Sequence, residues 1–325
     1  MGRLLKEYHT PVLLQETLEV LDLRPHLVVV DATFGFGGHG FEIAKRVDPG
    51  IVIGFEKDPE TYSIVSRSLP PITNVRILNM GYERMDEGLL KVGILNVDRV
   101  LFDLGMSSFS VEGTGRGFTF RREEPLDLRF NPGEGEPAYE FLNRATEREI
   151  EEVLRRYGEE RKSRSIAREI VARRPIRTTV ELAQIVDRLY PPKWRNKAKA
   201  RVWQALRIYV NNELENLRRG LALALKHLKV GGILAVISFH SLEDRAVKSL
   251  RGFPFVRPIT RKPIVPSEEE ISQNPRSRSA KLRAYVKVAE VDVPTLLLDR
   301  RFADPFPIPR RGGRRRKYRR GGRKV

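Results

Sequence analysis

An apolar run that ends on an acid and then breaks into a glycine-rich turn constrains the fold of this chain more than any other feature. Residues 28–30 are three valines, Asp31 follows them, and a turn with several glycines comes next. A second apolar run, Ile51–Phe55, ends on Glu56, roughly 20 residues after that turn, which is the spacing typical of a ribose-binding acid. Glycines let the backbone approach a ligand, and the acid can accept hydrogen bonds from ribose hydroxyls. The pattern predicts an α/β protein with a nucleotide-shaped site.

The glycine spacing narrows the kind of nucleotide. Gly35, Gly37 and Gly38 do not follow the G-x-G-x-x-G order of dinucleotide sites, and no G-K-[ST] ending indicates a phosphate-binding P-loop. A ligand with a ribose but no pyrophosphate fits better, and S-adenosylmethionine is the common one. Taken alone, such a turn is also often a tight connection without a ligand.

Composition argues against several kinds of site. The 325 residues contain no cysteine and five histidines, which removes disulfides and cysteine nucleophiles and disfavours a zinc site. The longest apolar runs have strand length, far below the ~20 residues of a membrane span. No apolar signal segment follows Met1. We therefore expect a cytoplasmic protein without a membrane segment or a metal.

The formal net charge of +18 is divided between a body and a tail. Arg310–Val325 holds eight arginines, two lysines and no acid, so the rest of the chain still carries +8. A body that is basic without its tail indicates a polyanionic partner. The composition of Arg310–Val325 cannot form a core, and we expect residues 292–325 to be a disordered extension in which Arg310–Val325 adds sequence-independent affinity for RNA.

Strand and helix patterns alternate over the first hundred residues and predict a parallel, doubly wound sheet. The predicted strands of this part cover residues 27–31, 51–56, 75–79 and 97–103. Helices follow over 138–200, with Thr146 and Thr178 at positions typical of N-caps, and one long helix is predicted over about 201–228. Strands at 233–239 and 282–288 then resume the sheet. The predicted division is a discontinuous core (1–108 and 208–291), an inserted helical substrate-recognition domain (109–207) and the tail (292–325).

The fourth predicted strand ends on Asp103. Ligands of an open parallel sheet bind beyond the carboxyl ends of its strands, where Asp31, Glu56 and Asp103 would all lie. Three acids at one edge suit a cationic sulfonium cofactor and a substrate amine, so Asp103, with the turn at Ser107 and Ser108, is the candidate catalytic region. An aspartate that only caps the following turn is the alternative.

Arginines interleaved with aromatic residues indicate a surface for RNA, because they can bind phosphates and stack on bases. A solvated basic loop with two rings in the core is the alternative. The candidates are Arg116, Phe118, Phe120, Asp127 and Arg129 after the fourth strand, and His240, Arg276 and Arg278 beside the later strands. A serine-hydrolase role for His240 fails because the chain has no G-x-S-x-G elbow.

Several of these stretches together resemble the bacterial RsmH (MraW) family, S-adenosylmethionine-dependent methyltransferases of 16S ribosomal RNA. The resemblance covers about residues 6–290, with its blocks in family order, and Ser238–Arg245 with Asn274–Arg283 is its most specific pair. The other matching blocks are Tyr8–Glu16, Asp31–His39, Asp103–Ser108, Arg116–Phe120, Pro125–Arg129, Tyr157–Arg161, Gln204–Ile208 and Asn211–Leu214.

The resemblance implies a class I (Rossmann-like) methyltransferase sheet with an inserted helical domain. It also implies methylation of the exocyclic N4 of one cytidine in the decoding region of the small ribosomal subunit. The cofactor contacts implied by the family motifs are Gly37, Gly38, His39, Glu56, Tyr82, Asp103 and Ser110. Ser110 stands where a Pro-Gln pair is usual in the family, so a longer amide is missing there.

Three other functions remain open on the residues. An amino methyltransferase of DNA usually carries a D-P-P-Y-type turn, which Asp103–Met106 lacks. A nicotinamide-dependent oxidoreductase is disfavoured by the glycine spacing and the basic body. An RNA-binding assembly factor without activity would need the basic loops but not Glu56, so binding of S-adenosylmethionine would separate it from the enzymes.

Overall fold

The computed structural model describes residues 11–68, 72–107, 109, 111, 113–299 and 302. Seven strands form one sheet: β1 (Val28–Asp31), β2 (Ile51–Glu56), β3 (Val75–Asn79), β4 (Val97–Asp103), β5 (Leu228–Ser238), β6 (Val256–Pro258) and β7 (Lys281–Lys287). Their order across the sheet is β3-β2-β1-β4-β5-β7-β6. The pairs from β3 to β5 are parallel, whereas β7 runs antiparallel to both β5 and β6. The predicted α/β class is confirmed.

Helices pack around the sheet and also form a bundle between β4 and β5. In chain order they are α1 (Leu14–Val20), α2 (Gly38–Val47), α3 (Pro59–Arg67), α4 (Met85–Lys91), α5 (Ala138–Arg144), α6 (Glu147–Gly158), α7 (Ser163–Ala172), α8 (Thr179–Leu189), α9 (Pro192–Asn211), α10 (Glu213–His227), α11 (Ser241–Ser249), α12 (Glu268–Gln273) and α13 (Val293–Leu298). Short 3₁₀ turns cover Tyr82–Arg84, Leu250–Gly252 and Pro275–Ser279. Among the described residues, no helix is both long and apolar enough to cross a membrane.

Alternate side chains of the strands enter separate apolar clusters on the two faces of the sheet. Val30 and Phe102 belong to the cluster that includes α10, whereas Val29 and Leu101 belong to the cluster that includes α1 and α2. This alternation is the period of two expected of a strand buried on both faces. A third cluster lies within helices α5 to α9 and the loop before them. The inserted helices therefore have a core of their own, although the domain boundaries at 109 and 207 remain a prediction.

The long helix and the tail both differ from the sequence-based expectation. The single helix predicted over about 201–228 is wrong, because α9 and α10 meet at Asn212, whose φ of +54° is left-handed and interrupts the helical ladder. The first part of the tail predicted from residue 292 is ordered, because α13 places Leu296, which is 2 % exposed, in the core. Arg310–Val325 lies outside the described residues.

Candidate active site

A cavity of about 150 Å³ lies at the carboxyl ends of β1, β2 and β4. Three predicted cofactor residues, Glu56, Tyr82 and Asp103, line this first cavity, and Ser107 lies in the same wall. Other residues of its lining are Thr33, Gly35, Asp58, Asn211, Glu213 and Glu243. The sheet thus brings side chains from three strands to the edge where the sequence placed them.

Two backbone amides hold the carboxylate of Glu56. Its Oε2 accepts a hydrogen bond from the Gly35 amide at 3.0 Å, and its Oε1 accepts one from the Asp58 amide at 2.7 Å. Burial raises the pKa of Glu56 to about 7, and the charges of Asp58 and Asp31 act in the same direction. A half-buried carboxylate of this kind is stabilised by further donors, such as the hydroxyl groups of a ribose.

Asp31 is a second buried acid at this edge, with 1 % of its surface exposed. Its Oδ1 accepts a hydrogen bond from the Thr33 amide at 3.2 Å, whereas its Oδ2 has no hydrogen-bond partner within the described chain. Burial raises the pKa of Asp31 to about 7, and the charge of Asp103 raises it further. Burial therefore favours the protonated form of Asp31 near neutral pH unless a donor or a positive charge reaches it.

The glycine turn is built by close packing at the start of α2. Gly37 has φ +76°, and a Cβ there would lie 2.3 Å from the Phe41 ring. Of the turn's glycines, Gly35 lines the first cavity. Gly37, Gly38 and His39 begin α2 beside the cavity rather than in its lining, so their predicted contacts with the cofactor remain predictions.

His39 connects Asp103 to the N-terminal segment. Its Nε2 lies 3.0 Å from the Val12 carbonyl, and its Nδ1 lies 3.6 Å from Asp103 Oδ2. Burial lowers the pKa of His39 to about 4, so the ring is neutral near pH 7, and the carbonyl contact assigns its hydrogen to Nε2. Asp103 also donates its amide to Thr33 Oγ1 at 2.6 Å and accepts at Oδ1 from the Gly105 amide at 3.3 Å.

A second cavity, of about 420 Å³, adjoins the first. Its lining includes the predicted substrate residues Phe118, Phe120, His240 and Arg276. Leu104, Gly105 and Met106 line both cavities. The chain segment that directly follows Asp103 is therefore the wall between the two cavities.

Aromatic packing shapes the second cavity. The Phe118 ring stacks on the Phe130 ring, with centroids 5.4 Å apart. The Phe120 ring meets the Trp203 ring edge to face at 5.4 Å, and Trp203 Nε1 donates to the Gly117 carbonyl at 2.9 Å. The two phenylalanines are thus held in place by the insertion and still face the cavity.

The structure places the remaining predicted residues elsewhere. Arg116 is 8 % exposed and donates to Asp58 Oδ2 and to the Arg129 and Phe130 carbonyls, so it is a buried tie rather than an exposed cation. Arg129 binds Asp127 through two hydrogen bonds of 2.7 Å, and neither residue lines the first or the second cavity. Arg278 is exposed and lies outside both cavity linings. Ser108 and Ser110 lie outside the described residues.

A polar network connects the two cavities. Arg207 donates to both Glu213 oxygens, at 2.8 and 3.0 Å, and His240 Nε2 lies 3.0 Å from Glu243 Oε1. Burial alone would raise the pKa of Glu243, but His240 and Arg207 hold it below its usual value. Arg207 and His240 line the second cavity, whereas Glu213 and Glu243 line the first. Each of these two ion pairs therefore joins the lining of one cavity to that of the other.

Donor atoms of Glu213, His240 and Glu243 lie within 4.8 Å of one another, which is close enough to hold a metal ion. Arg207, however, already engages both oxygens of Glu213. The absence of a metal therefore remains a prediction.

Sequence reasoning gave no role to the residues of α9 that line the second cavity. Ala200, Trp203, Gln204 and Arg207 face it. They are spaced by three, one and three residues, which is typical of one face of a helix. This spacing is the pattern in the sequence from which the cavity-lining face could have been identified. The periodic apolar positions that predicted a helix here are others, such as Val202, Leu206 and Tyr209, and periodicity alone does not distinguish a cavity wall from a core.

Comparisons with known proteins agree over most of the chain. The profile of the MraW methylase family matches residues 6–288. Ribosomal RNA small subunit methyltransferase H of Thermosipho africanus is 42 % identical over 288 residues, covering 87 % of this chain and 99 % of the relative. The protein of the same name from Thermotoga neapolitana is 42 % identical over 291 residues, covering 87 % and 97 %. A solved rRNA methylase from Streptococcus thermophilus is 12 % identical and covers 84 % of this chain and 95 % of that one, with a TM-score of 0.43, which is too distant to add to these matches.

Proposed function

The chain belongs to the MraW methylase family, and from that premise we propose that it methylates the N4 amino group of one cytidine in the decoding region of 16S ribosomal RNA. Like its family, it is an S-adenosylmethionine-dependent methyltransferase. The RNA substrate is taken from the names of its relatives, and the cytidine and its position are our proposal.

The single observation that best supports this proposal is the wall shared by the two cavities. Leu104, Gly105 and Met106 line both, and Asp103 stands at the start of that wall. Methyl transfer requires a donor and an acceptor in separate sites whose reacting atoms meet, and holding them there lowers the barrier by proximity. Two adjoining cavities with a common wall supply that arrangement.

The residues of the first cavity fit S-adenosylmethionine. Glu56 is half-buried and can accept from ribose hydroxyls, and the Tyr82 ring supplies an aromatic wall. When bound there, the cofactor would supply a methyl group carried on a positively charged sulfur.

Asp103 is our candidate for handling the proton of the substrate amine. The N4 lone pair of cytosine is delocalised into the ring, so the amine is a poor nucleophile until an acceptor polarises its N–H bond. Forming the N–CH₃ bond and breaking the S–CH₃ bond releases one N4 proton. The Asp103 carboxylate, oriented by the Gly105 amide, would accept it and pass it to solvent.

The second cavity would hold the target base outside its stack. A base must be unstacked to enter a pocket of this kind, so the target lies in a loop or an accessible single strand. Phe118 and Phe120 would stack on the base, and this proposal is supported by their position, with Arg276 and His240, in the lining of the same cavity. Arg278, another RNA-contact residue predicted from the sequence, is exposed, and we propose that it contacts the RNA backbone.

The cellular setting follows from the proposed substrate. A protein that modifies ribosomal RNA acts in the cytoplasm, and the small ribosomal subunit or its free rRNA is the proposed partner. The basic body of the chain suits such a polyanion.

Labelled S-adenosylmethionine and small ribosomal subunits from a strain lacking the modification would test the proposal. We expect label on N4 of one decoding-region cytidine after nucleoside mapping. Label on another atom or another RNA would refute the assigned substrate. Absence of cofactor binding would refute the assignment of the first cavity.

A further inference from the structure

An exposed tryptophan flanked by two lysines stands at the beginning of α9. This residue, Trp194, is 48 % exposed. Lys193 Nζ and Lys197 Nζ lie 5.7 and 5.9 Å from the centre of its ring. A large aromatic surface left in water is unfavourable, and a paired cation–aromatic cluster of this kind is a common means of binding nucleic acid.

The two lysines differ from the other cations of the same helix. Arg195 donates to the Tyr190 carbonyl, Lys199 pairs with Asp187, and Arg201 pairs with Glu160. In the part of the chain that the structure describes, Lys193 and Lys197 have no ion-pair partner, and both are exposed. Their charges therefore remain available to an anion.

The same helix leads from this cluster to the second cavity. Lys193, Lys197, Ala200, Gln204 and Arg207 follow one another at intervals of four, three, four and three residues, which places them on one face. The last three of these residues line the cavity. At 1.5 Å per residue, Trp194 and Gln204 are about 15 Å apart along the axis. A single strand that rises at least 3.4 Å per nucleotide covers this distance with at most about four nucleotides.

We propose that Trp194, Lys193 and Lys197 form a docking site for the single strand that flanks the target nucleotide. One unpaired base stacks on the Trp194 ring, and the two lysines contact the adjoining phosphates. This inference rests on the proposed function for its partner, RNA, and adds a second site that holds the strand while the target base enters the second cavity.

Tryptophan fluorescence tests the stacking without requiring methyl transfer. The chain has two tryptophans, and Trp203 is buried. We expect a short oligocytidylate to quench the emission of the wild-type protein in the absence of cofactor. Trp194→Phe should abolish most of that quenching while keeping affinity. Equal quenching in the wild type and in this variant would overturn the proposal.

Kinetics on unmodified small-subunit RNA tests the contribution of the cluster. We expect Trp194→Ala to raise the KM for RNA about five- to 150-fold with kcat nearly unchanged, because stacking contributes equally before and during the reaction. Trp194→Phe should restore most of the loss. Replacing both lysines by alanine should reduce the salt slope of RNA binding by about 1.4.

Leu90→Ala and Lys91→Ala are the matched controls. They alter an exposed apolar residue, 71 % exposed, and a neighbouring exposed lysine on α4, and neither residue lines the first or the second cavity. We expect neither to change KM. If Trp194→Ala behaves like these controls while the wild type methylates RNA, the docking site is refuted and the proposed function stands. If the variant weakens binding only to assembled subunits and not to protein-free 16S rRNA, the cluster contacts a protein and the proposal is also refuted.

Discussion

Replacing Arg116 by methionine distinguishes a buried tie from an RNA contact. The guanidinium joins Asp58, beside the first cavity, to the Arg129 and Phe130 carbonyls of the insertion loop. Arg116 and Asp58 are 8 % and 4 % exposed, so water cannot replace the lost contacts. Methionine keeps most of the apolar stem and removes the charge and the donors.

The expected loss of stability is at the lower end of the range for a buried ion pair. Removing one partner of such a pair costs about 3–5 kcal/mol, because the other charge is left unpaired. Asp58 would keep hydrogen bonds from the Glu60 amide at 3.0 Å and from Thr61 Oγ1 at 3.2 Å, so we expect about 3 kcal/mol. In the double variant, adding Asp58→Asn to Arg116→Met should recover part of the lost stability, with a coupling energy between the two positions of about 1–2 kcal/mol.

Urea unfolding and the salt dependence of RNA binding together decide the outcome. Arg144, whose side chain is 54 % exposed and pairs with Glu136, is the matched control, and Arg144→Met should cost at most about 1 kcal/mol. A phosphate contact would instead lower the salt slope by about 0.7–0.9 and leave stability nearly unchanged. If Arg116→Met behaves in that way, our interpretation of Arg116 is wrong.

Three further outcomes test the site. In urea unfolding, Gly37→Ala should lower the free energy of unfolding by about 1–3 kcal/mol more than Gly93→Ala does. Both glycines have positive φ, but only at Gly37 would a Cβ lie 2.3 Å from a ring, so equal losses would contradict this prediction. The pKa of Asp31 is raised to about 7, so the folded chain holds an extra proton between about pH 4 and 7 and loses stability as the pH rises through that window. The free energy of unfolding of Asp31→Asn should therefore rise relative to that of the wild type by up to about 1.4 kcal/mol per pH unit in that window. If the two proteins lose stability in parallel as the pH rises, the raised pKa of Asp31 is refuted. Asp103→Ala should lower kcat about 10²- to 10⁴-fold at saturating cofactor and RNA, and near-normal turnover would exclude it as the proton acceptor.

Local signals predicted much of the fold. The acids that end β1, β2 and β4 mark the correct edge of the sheet, because apolar runs and the residues that stop them are properties of neighbouring positions. Thr146 and Thr178 cap α6 and α8, each in a reciprocal pair with the glutamate three residues later. The predicted family is confirmed by the match over residues 6–288.

Local sequence patterns did not predict contacts between distant parts of the chain. The loop that contains Arg116 has the composition of an RNA-binding surface, yet its arginine pairs with a carboxylate 58 positions earlier. The break at Asn212 was also not predicted, because apolar residues at helical spacing continue across it from α9 into α10. Composition and periodicity report what a residue can do, whereas burial decides which of those contacts it makes.

The sequence by itself determined the parallel α/β sheet, the acidic edge and the basic character of the chain, because these depend on local hydrophobic patterns and on summed charge. Only the tertiary structure decided that Leu104–Met106 separates two adjoining cavities and that Trp194 and its lysines stand free on the helix that lines one of them. Cavity walls and exposed clusters arise from how distant elements pack, and packing follows from shape and burial in three dimensions rather than from any one segment.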